Sequence, residues 1–176
     1  MATRGVLYSV VCGAGPAEHV DRLVALARAR GWSVQVIATA TACEHFLDVP
    51  ALEQLLGVPV RTSYTTAGNR RPAPDAVIVA PATYNTINKW AAGISDTYVL
   101  SLLAELTGLG TPIAVLPFVN TALAANQVFQ RNLARLRAAG VTVLFGPDVL
   151  EPHPPRTAGT RLDAYPWHLA LDAVER

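Results

Sequence analysis

The stretch "DAVIVAPATYNTINKWAAGISD", residues 75–96, decides the fold. Its first six residues, 75–80, form a short apolar run of the kind that suits a strand covered on both faces. Pro81 closes the run. Thr83, Asn85, Thr86 and Asn88 then crowd hydrogen-bonding groups just past the strand end. The same alternation repeats on either side. Upstream, strands are predicted over 6–12 (VLYSVVC), 33–39 (SVQVIAT) and 58–62 (VPVRT); downstream, over 112–117 (PIAVLP) and 141–146 (VTVLFG). Helices are predicted over 17–30, 49–57, about 96–109, 121–139 and 167–175. In the first of these Val20, Leu23, Val24, Leu26 and Ala27 make one apolar stripe. The second has proline near its start and glycine at its end. The helix at 96–109 is apolar nearly all round, which predicts burial on more than one side. Residues 147–166, rich in proline and polar groups, read as a surface flap.

Strands alternating with helices predict an α/β protein: a three-layer Rossmann-like (flavodoxin-like) fold with a six-stranded parallel sheet. The 176 residues are expected to form one domain, 1–176, with the flap at 147–166 and a closing helix at 167–175.

Composition narrows the partners. The chain is 51% hydrophobic and 15% charged, with a mean hydropathy of +0.29. Such a balance calls for a large core or for apolar surface hidden against other copies of the chain. Net charge is +1, and no basic run extends beyond Arg70-Arg71, so nucleic acid is not expected as a partner. The two cysteines, Cys12 and Cys43, have no metal-ligand spacing and read as small core residues; no metal is expected, and a reducing cytoplasm fits. Glycine interrupts the N-terminal run too early for a signal peptide, and no window has the apolar length of a membrane span.

Open parallel sheets bind ligands at the carboxyl ends of their strands. Here those ends read Cys12-Gly13-Ala14-Gly15, Thr39-Ala40-Thr41, Pro81 to Thr86, and Pro117 to Asn120. Small and hydrogen-bonding residues thus share one rim. The first turn has two glycines but Glu18 where a dinucleotide fingerprint places a third. After the second strand, where such a site has an acid for the ribose, stand Thr39, Ala40 and Thr41. Hydroxyls and free N–H groups there suit a terminal phosphate, so a mononucleotide is favoured over NAD. A plain capping role would also account for Thr39 and Thr41. No GxxxxGKS is present, which argues against a nucleotide-triphosphate motor.

Two motifs add a resemblance. "PATYNT" (81–86) resembles the PASANT motif of the homo-oligomeric flavin-containing cysteine decarboxylases, and "PFVNTALAANQVF" (117–129) resembles that family's PxMNxxMW motif. The family includes the peptidyl-cysteine decarboxylases of lantibiotic synthesis and phosphopantothenoylcysteine decarboxylase. The likeness runs from residue 6 to about 146 and takes in "CGAG" and "GISD". It implies FMN as cofactor, with Gly13, Ala14, Thr39 and Thr41 on the phosphate and ribityl chain. Pro81, Thr83, Asn85 and Thr86 would lie near the isoalloxazine and the subunit contact, with Ser101 also in reach. Asn120 falls on the family asparagine that holds a substrate carboxylate; with Asn85 it is the candidate catalytic residue. The resemblance further implies a small-molecule or peptide substrate and a homo-oligomer, trimer or dodecamer.

The departures are specific. The family's essential histidine lies fourteen residues before the PASANT proline, and counting back from Pro81 lands on Ala67. The second motif's methionine and tryptophan become Leu123 and Ala124, and residues 147–166 contain no cysteine. Tyr64, Asn69, Arg70 and Arg71 lie in the loop that should carry the histidine; an arginine there would suit a carboxylate or phosphate, and a solvated loop explains it equally. His153 is expected to be exposed in the flap. Tyr165 and Trp167 are expected to dock the last helix rather than cover a ligand. Two functions follow: an FMN-dependent enzyme on a small carboxylated or thiol-bearing substrate with altered catalytic groups, or a flavin-binding module without decarboxylase chemistry. A flavin prenyltransferase is a third, but no prenyl phosphate site is identifiable.

Overall fold

The computed structural model describes residues 4–64 and 72–175. Strand β1 (Gly5–Val11) leads through a 3-10 turn at Gly15–His19 into α1 (Val20–Ala29), then β2 (Trp32–Ala38). Helices α2 (Ala40–His45) and α3 (Val49–Leu56) follow. Then come β3 (Ala76–Ala82), α4 (Tyr84–Ala91), α5 (Tyr98–Gly108) and β4 (Ile113–Pro117). Helices α6 (Thr121–Ala124) and α7 (Gln127–Ala138), strand β5 (Thr142–Val143) and α8 (Trp167–Val174) complete the chain. The sheet is parallel throughout, in the order β2-β1-β3-β4-β5.

Period-two alternation divides the core between the two faces of the sheet. Leu7, Val11, Val34, Val36, Ile78 and Leu116 meet α1, α3 and α8 through Leu23, Val24, Leu52, Leu56, Trp167 and Leu171. Tyr8, Val10, Val77, Val79 and Val115 meet α4, α5 and α7 through Ile87, Trp90, Leu103, Phe129 and Leu133. Both faces being covered, the central strands β3 and β4 are buried at every position.

The sheet has five strands, not six. Residues 58–62 contribute a single parallel bridge, Arg61 to Ile37, at the edge beside β2. Pro59 has no N–H to donate, and Thr62, Ser63 and Tyr64 are exposed, so pairing cannot extend. The strand expected over 141–146 pairs over only two residues before the chain leaves the edge. The helix expected over 121–139 is interrupted because Asn126 accepts a hydrogen bond from Val128 N (2.9 Å) and starts a new helix there. Helix α3 ends as expected, with Gly57 in the left-handed region at φ 74°. Helix α5 is covered on one side only: Val99, Leu100, Leu103 and Leu106 are buried, while Ala104 and Glu105 are exposed.

The last turn of α8 ties the two ends of the described chain together. Glu175 Oε1 accepts from Trp32 Nε1 (2.8 Å), its Oε2 accepts from Arg30 Nη1 (2.9 Å), and Arg4 lies 3.6 Å away. Desolvation would raise this carboxyl, but the bonds from Trp32 and Arg30 and the charges of Arg4 and Arg30 outweigh it and hold the group below the ordinary glutamate range. A lowered folded pKa means stability that is present above the unfolded value and lost as pH falls through the folded one. Glu175→Gln should therefore cost about 1 kcal/mol near neutral pH, solvent screening keeping the figure small. Urea unfolding should show the gap to the parent protein closing as pH drops below the ordinary glutamate pKa. A gap that persists there would refute the assignment.

Candidate functional site

Three strand exits converge on one crevice. Thr39 ends β2 and caps α2, its Oγ1 accepting from Ala42 N at 3.3 Å. Thr83 ends β3 and caps α4 in the same way, its Oγ1 accepting from Thr86 N at 3.3 Å and its O–H donating to Thr86 Oγ1 at 3.1 Å. The polar cluster after the strand is thus the first turn of a helix, not a loop. Between these exits runs the turn after β1, and its closeness to α2 fixes a residue type. A Cβ on Gly13 would sit 2.7 Å from Thr41 Cγ2 and 3.2 Å from Ala42 N. Gly13, Thr39, Thr41, Thr83, Asn85 and Thr86 line a cavity of about 210 Å³. It opens at the β1/β3 switch point, where the chain order along the sheet reverses.

The lining has hydroxyls, an amide and backbone, and no charged side chain. Because Thr39 accepts its helix N–H through a lone pair, its hydroxyl proton remains available to donate, while the Thr86 hydroxyl also bonds the Cys12 thiol. Beneath lies Cys12, fully buried. Burial pushes its thiol up, and hydrogen bonds with Thr86 and Thr83 offset this only in part, so it is a core group. A second cavity of about 220 Å³ shares Thr39 and continues to Thr62 and the start of α5 at Thr97 and Tyr98. The sequence reading missed Thr97; its position as the cap of α5, accepting from Leu100 N at 3.2 Å, was the available signal. A larger cavity of about 290 Å³ between α1 and α3 is lined by Glu18, Asp21 and Asp48, whose carboxylates would repel an anion.

The remaining candidates lie outside the crevice lining. Ala14 is half-buried in the first turn, and Pro81 is buried within β3, which runs two residues further than expected. Ser101 on α5 shares a hydrogen bond with Ser95 Oγ at 2.7 Å. Asn120 caps α6, its Oδ1 accepting from Leu123 N at 2.9 Å, which leaves its Nδ2 hydrogens as its donors for a ligand. Tyr64 is exposed and packs edge-on against Tyr98, with ring centroids 4.8 Å apart. Ala67, Asn69, Arg70 and Arg71 lie outside the described residues. Tyr165 and Trp167 are buried core groups, and the Tyr165 hydroxyl donates to Leu116 O at 2.6 Å. His168 is exposed on α8. His153, expected to be exposed, is instead buried against the ring of Phe118, centroids 4.9 Å apart. The prolines around it suggested a solvated loop; they bring the flap down onto the rim.

A 2-1-3-4-5 parallel sheet with a hydroxyl-lined crevice at its switch point defines a doubly wound ligand-binding protein. The Flavoprotein family model matches residues 7–159, and the chain belongs to that family. The Escherichia coli K12 coenzyme A biosynthesis bifunctional protein CoaBC is 30% identical over 146 residues, 78% of this chain and 35% of that one. The chain spans only 24–37% of the CoaBC proteins it matches. Among solved structures, the FMN-dependent cysteine decarboxylase SpaF superposes with a TM-score of 0.72 at 22% identity, over 99% of each chain. A dodecameric FMN-dependent UbiX-like decarboxylase from Escherichia coli O157:H7 gives 0.64 at 19% identity, over 79% of this chain and 78% of that one. These two likenesses are of fold.

Proposed function

We propose that this chain binds FMN and is a flavin-dependent enzyme of the decarboxylase type, acting on a small carboxylated or thiol-bearing substrate, free or peptide-borne. The crevice carries this reading: hydroxyl donors, an approach kept open by Gly13, and no carboxylate to repel a phosphate. Gly13, Thr39, Thr41 and Thr86 hold the phosphate and ribityl chain, with Ala14 as backbone. Pro81, Thr83, Asn85 and Ser101 stand toward the ring system. The cofactor supplies a hydride acceptor when bound. The Asn120 amide, held rigid by its capping bond, offers Nδ2 to a substrate carboxylate. A fluorescence titration should show FMN emission quenched at micromolar protein, and FAD and NAD binding more weakly. Unquenched emission at excess protein would overturn the reading.

A second reading is a flavin-binding module without turnover. It is favoured by one observation: no histidine lines the crevice, and the position matching the family histidine is Ala67. Among the described residues no helix is long and apolar enough to cross a membrane, and we place the protein in the cytoplasm.

The size of the crevice supports an oligomer. A cavity of about 210 Å³ is smaller than the ~300–1,000 Å³ of sites that enclose a ligand of this size. On this reading one copy provides part of the wall, and the exposed side of α5, beside the second cavity that shares Thr39, is available for a neighbour to supply the rest. Light scattering on the FMN-loaded protein should report a trimer or a multiple of it. A stable flavin-bound monomer at micromolar concentration would exclude this arrangement.

A further inference from the structure

Two exposed surfaces of opposite sign hold charges that the fold does not pair. The first is the cavity of about 290 Å³ between α1 and α3. Leu47, Leu52 and Leu55 form much of its apolar lining, and Leu55 is 45% exposed. Glu18, Asp21 and Asp48 stand around it, all exposed, and none makes an ion pair among the described residues. Asp48 only caps α3. The arginines of α1 do not neutralise them: Arg22 pairs with Asp163 at 2.9 Å, and Arg28 donates to the carbonyls of Leu55 and Leu56 at 2.7 and 2.8 Å.

The second surface is the outer side of α7. This helix turns Phe129, Leu133 and Leu136 into the core and leaves Val128, Arg131 and Arg135 outside, with Val128 42% exposed. At 3.6 residues per turn these three share an arc of about 60° and span roughly 10 Å of the helix. No ion pair or side-chain hydrogen bond engages Arg131 or Arg135 among the described residues. The helix dipole accounts for Arg135 in the last turn, but not for Arg131 in the first half, nor for an apolar residue left in water beside it.

These surfaces cannot meet within one chain, because α1 and α3 cover one face of the sheet and α7 the other. An anionic partner such as nucleic acid or a lipid surface would suit α7 alone, and the acids of the groove would repel it. A second copy satisfies both. We propose that the groove between α1 and α3 receives α7 of another copy of this chain, Val128 entering among the leucines and Arg131 and Arg135 meeting the carboxylates. The contact is heterologous: each copy offers its groove to one neighbour and its helix to another, so the association closes a ring or extends. It uses neither the crevice nor α5, and it needs no flavin.

The test is light scattering on the full chain at micromolar concentration, with and without FMN, in about 50 mM and about 500 mM NaCl. One variant reverses the helix (Arg131→Glu with Arg135→Glu), another the groove (Glu18→Lys with Asp21→Lys). The parent should lose mass as salt rises. Each variant alone should sit below the parent mass in low salt, its association weakened by about tenfold or more. Mixed in equal amounts they should regain the parent mass, because each groove then faces a helix of opposite charge. Far-UV circular dichroism checks that both are folded. Where a reversal unfolds the chain, the neutral pairs Arg131→Gln with Arg135→Gln and Glu18→Gln with Asp21→Asn are read instead, and both should lose the salt-sensitive association. A parent mass indifferent to salt, variants of unchanged mass, an effect of one surface without the other, or reversed variants that do not recombine would each overturn the proposal. An effect confined to α7, with nucleic acid or anionic vesicles retained by the parent, would assign that helix to an anionic partner instead. Failure of the parent to bind FMN would defeat the flavin reading, and the masses without FMN would still decide this contact.

Discussion

A peptide ending in cysteine, or phosphopantothenoylcysteine, should emerge from incubation with this protein and FMN essentially unchanged. The resemblance to the cysteine decarboxylases places their histidine at Ala67, and no histidine stands within twenty residues of it on either side. Asn69 has no basic nitrogen, and Arg70 and Arg71 stay protonated at any working pH. A positioned general base contributes about 10²–10⁴-fold, so turnover of these substrates should fall by at least that factor relative to a family enzyme that keeps the histidine. Mass spectrometry after anaerobic incubation should find no loss of CO₂ and two hydrogens. Ala67→His should recover a trace, limited by Leu123 and Ala124 where the motif has methionine and tryptophan. Rapid decarboxylation by the unaltered chain would sink this expectation.

Gly13→Val should remove FMN binding while leaving the chain folded. Even a single Cβ at this position comes within 2.7 Å of Thr41 Cγ2 and 3.2 Å of the Ala42 nitrogen. The first contact can be relieved by turning a side chain; the second is with backbone at the start of α2. The two γ-methyls of valine would add to the crowding and fill space that the phosphate end needs. A loss of about 100-fold in affinity, or roughly 2.7 kcal/mol, is expected. Far-UV circular dichroism should match the parent, since Gly13 lies outside every strand and helix. Unchanged FMN affinity in a folded variant would show that the ligand does not enter between β1 and α2.

The layout of the fold was legible because both faces of the sheet are covered. That makes 6–12, 33–39, 75–80 and 112–117 predominantly apolar, with Ser9 and Gln35 among the few polar residues inside them, and each became a strand. The edges were not legible. Residues 58–62 and 141–146 have the same composition as strands, but pairing at an edge depends on geometry with a single neighbour, and it lapses after one bridge and two residues. Helix α2 was missed because "ATACEH" is too short to show a period. At the site, the residues that gather around the crevice were readable as strand ends rich in hydroxyls. The positions of His153 and Thr97 were not, since each depends on where a distant segment returns to the rim.

The way α8 is seated bears on how such proteins are delimited. Shared family residues stop at 159, yet Trp167, Ala170 and Leu171 fill the face of the sheet beside Leu116, and Tyr165 is bonded to that strand's carbonyl. The family match therefore ends before the packed unit does, and the superposition on SpaF runs on over 99% of the chain. A fragment trimmed to the shared stretch would keep every crevice residue and lose part of the cover of one sheet face, baring Ile78 and Leu116 to water. The stretch that the family match recognises is shorter than the unit that packs.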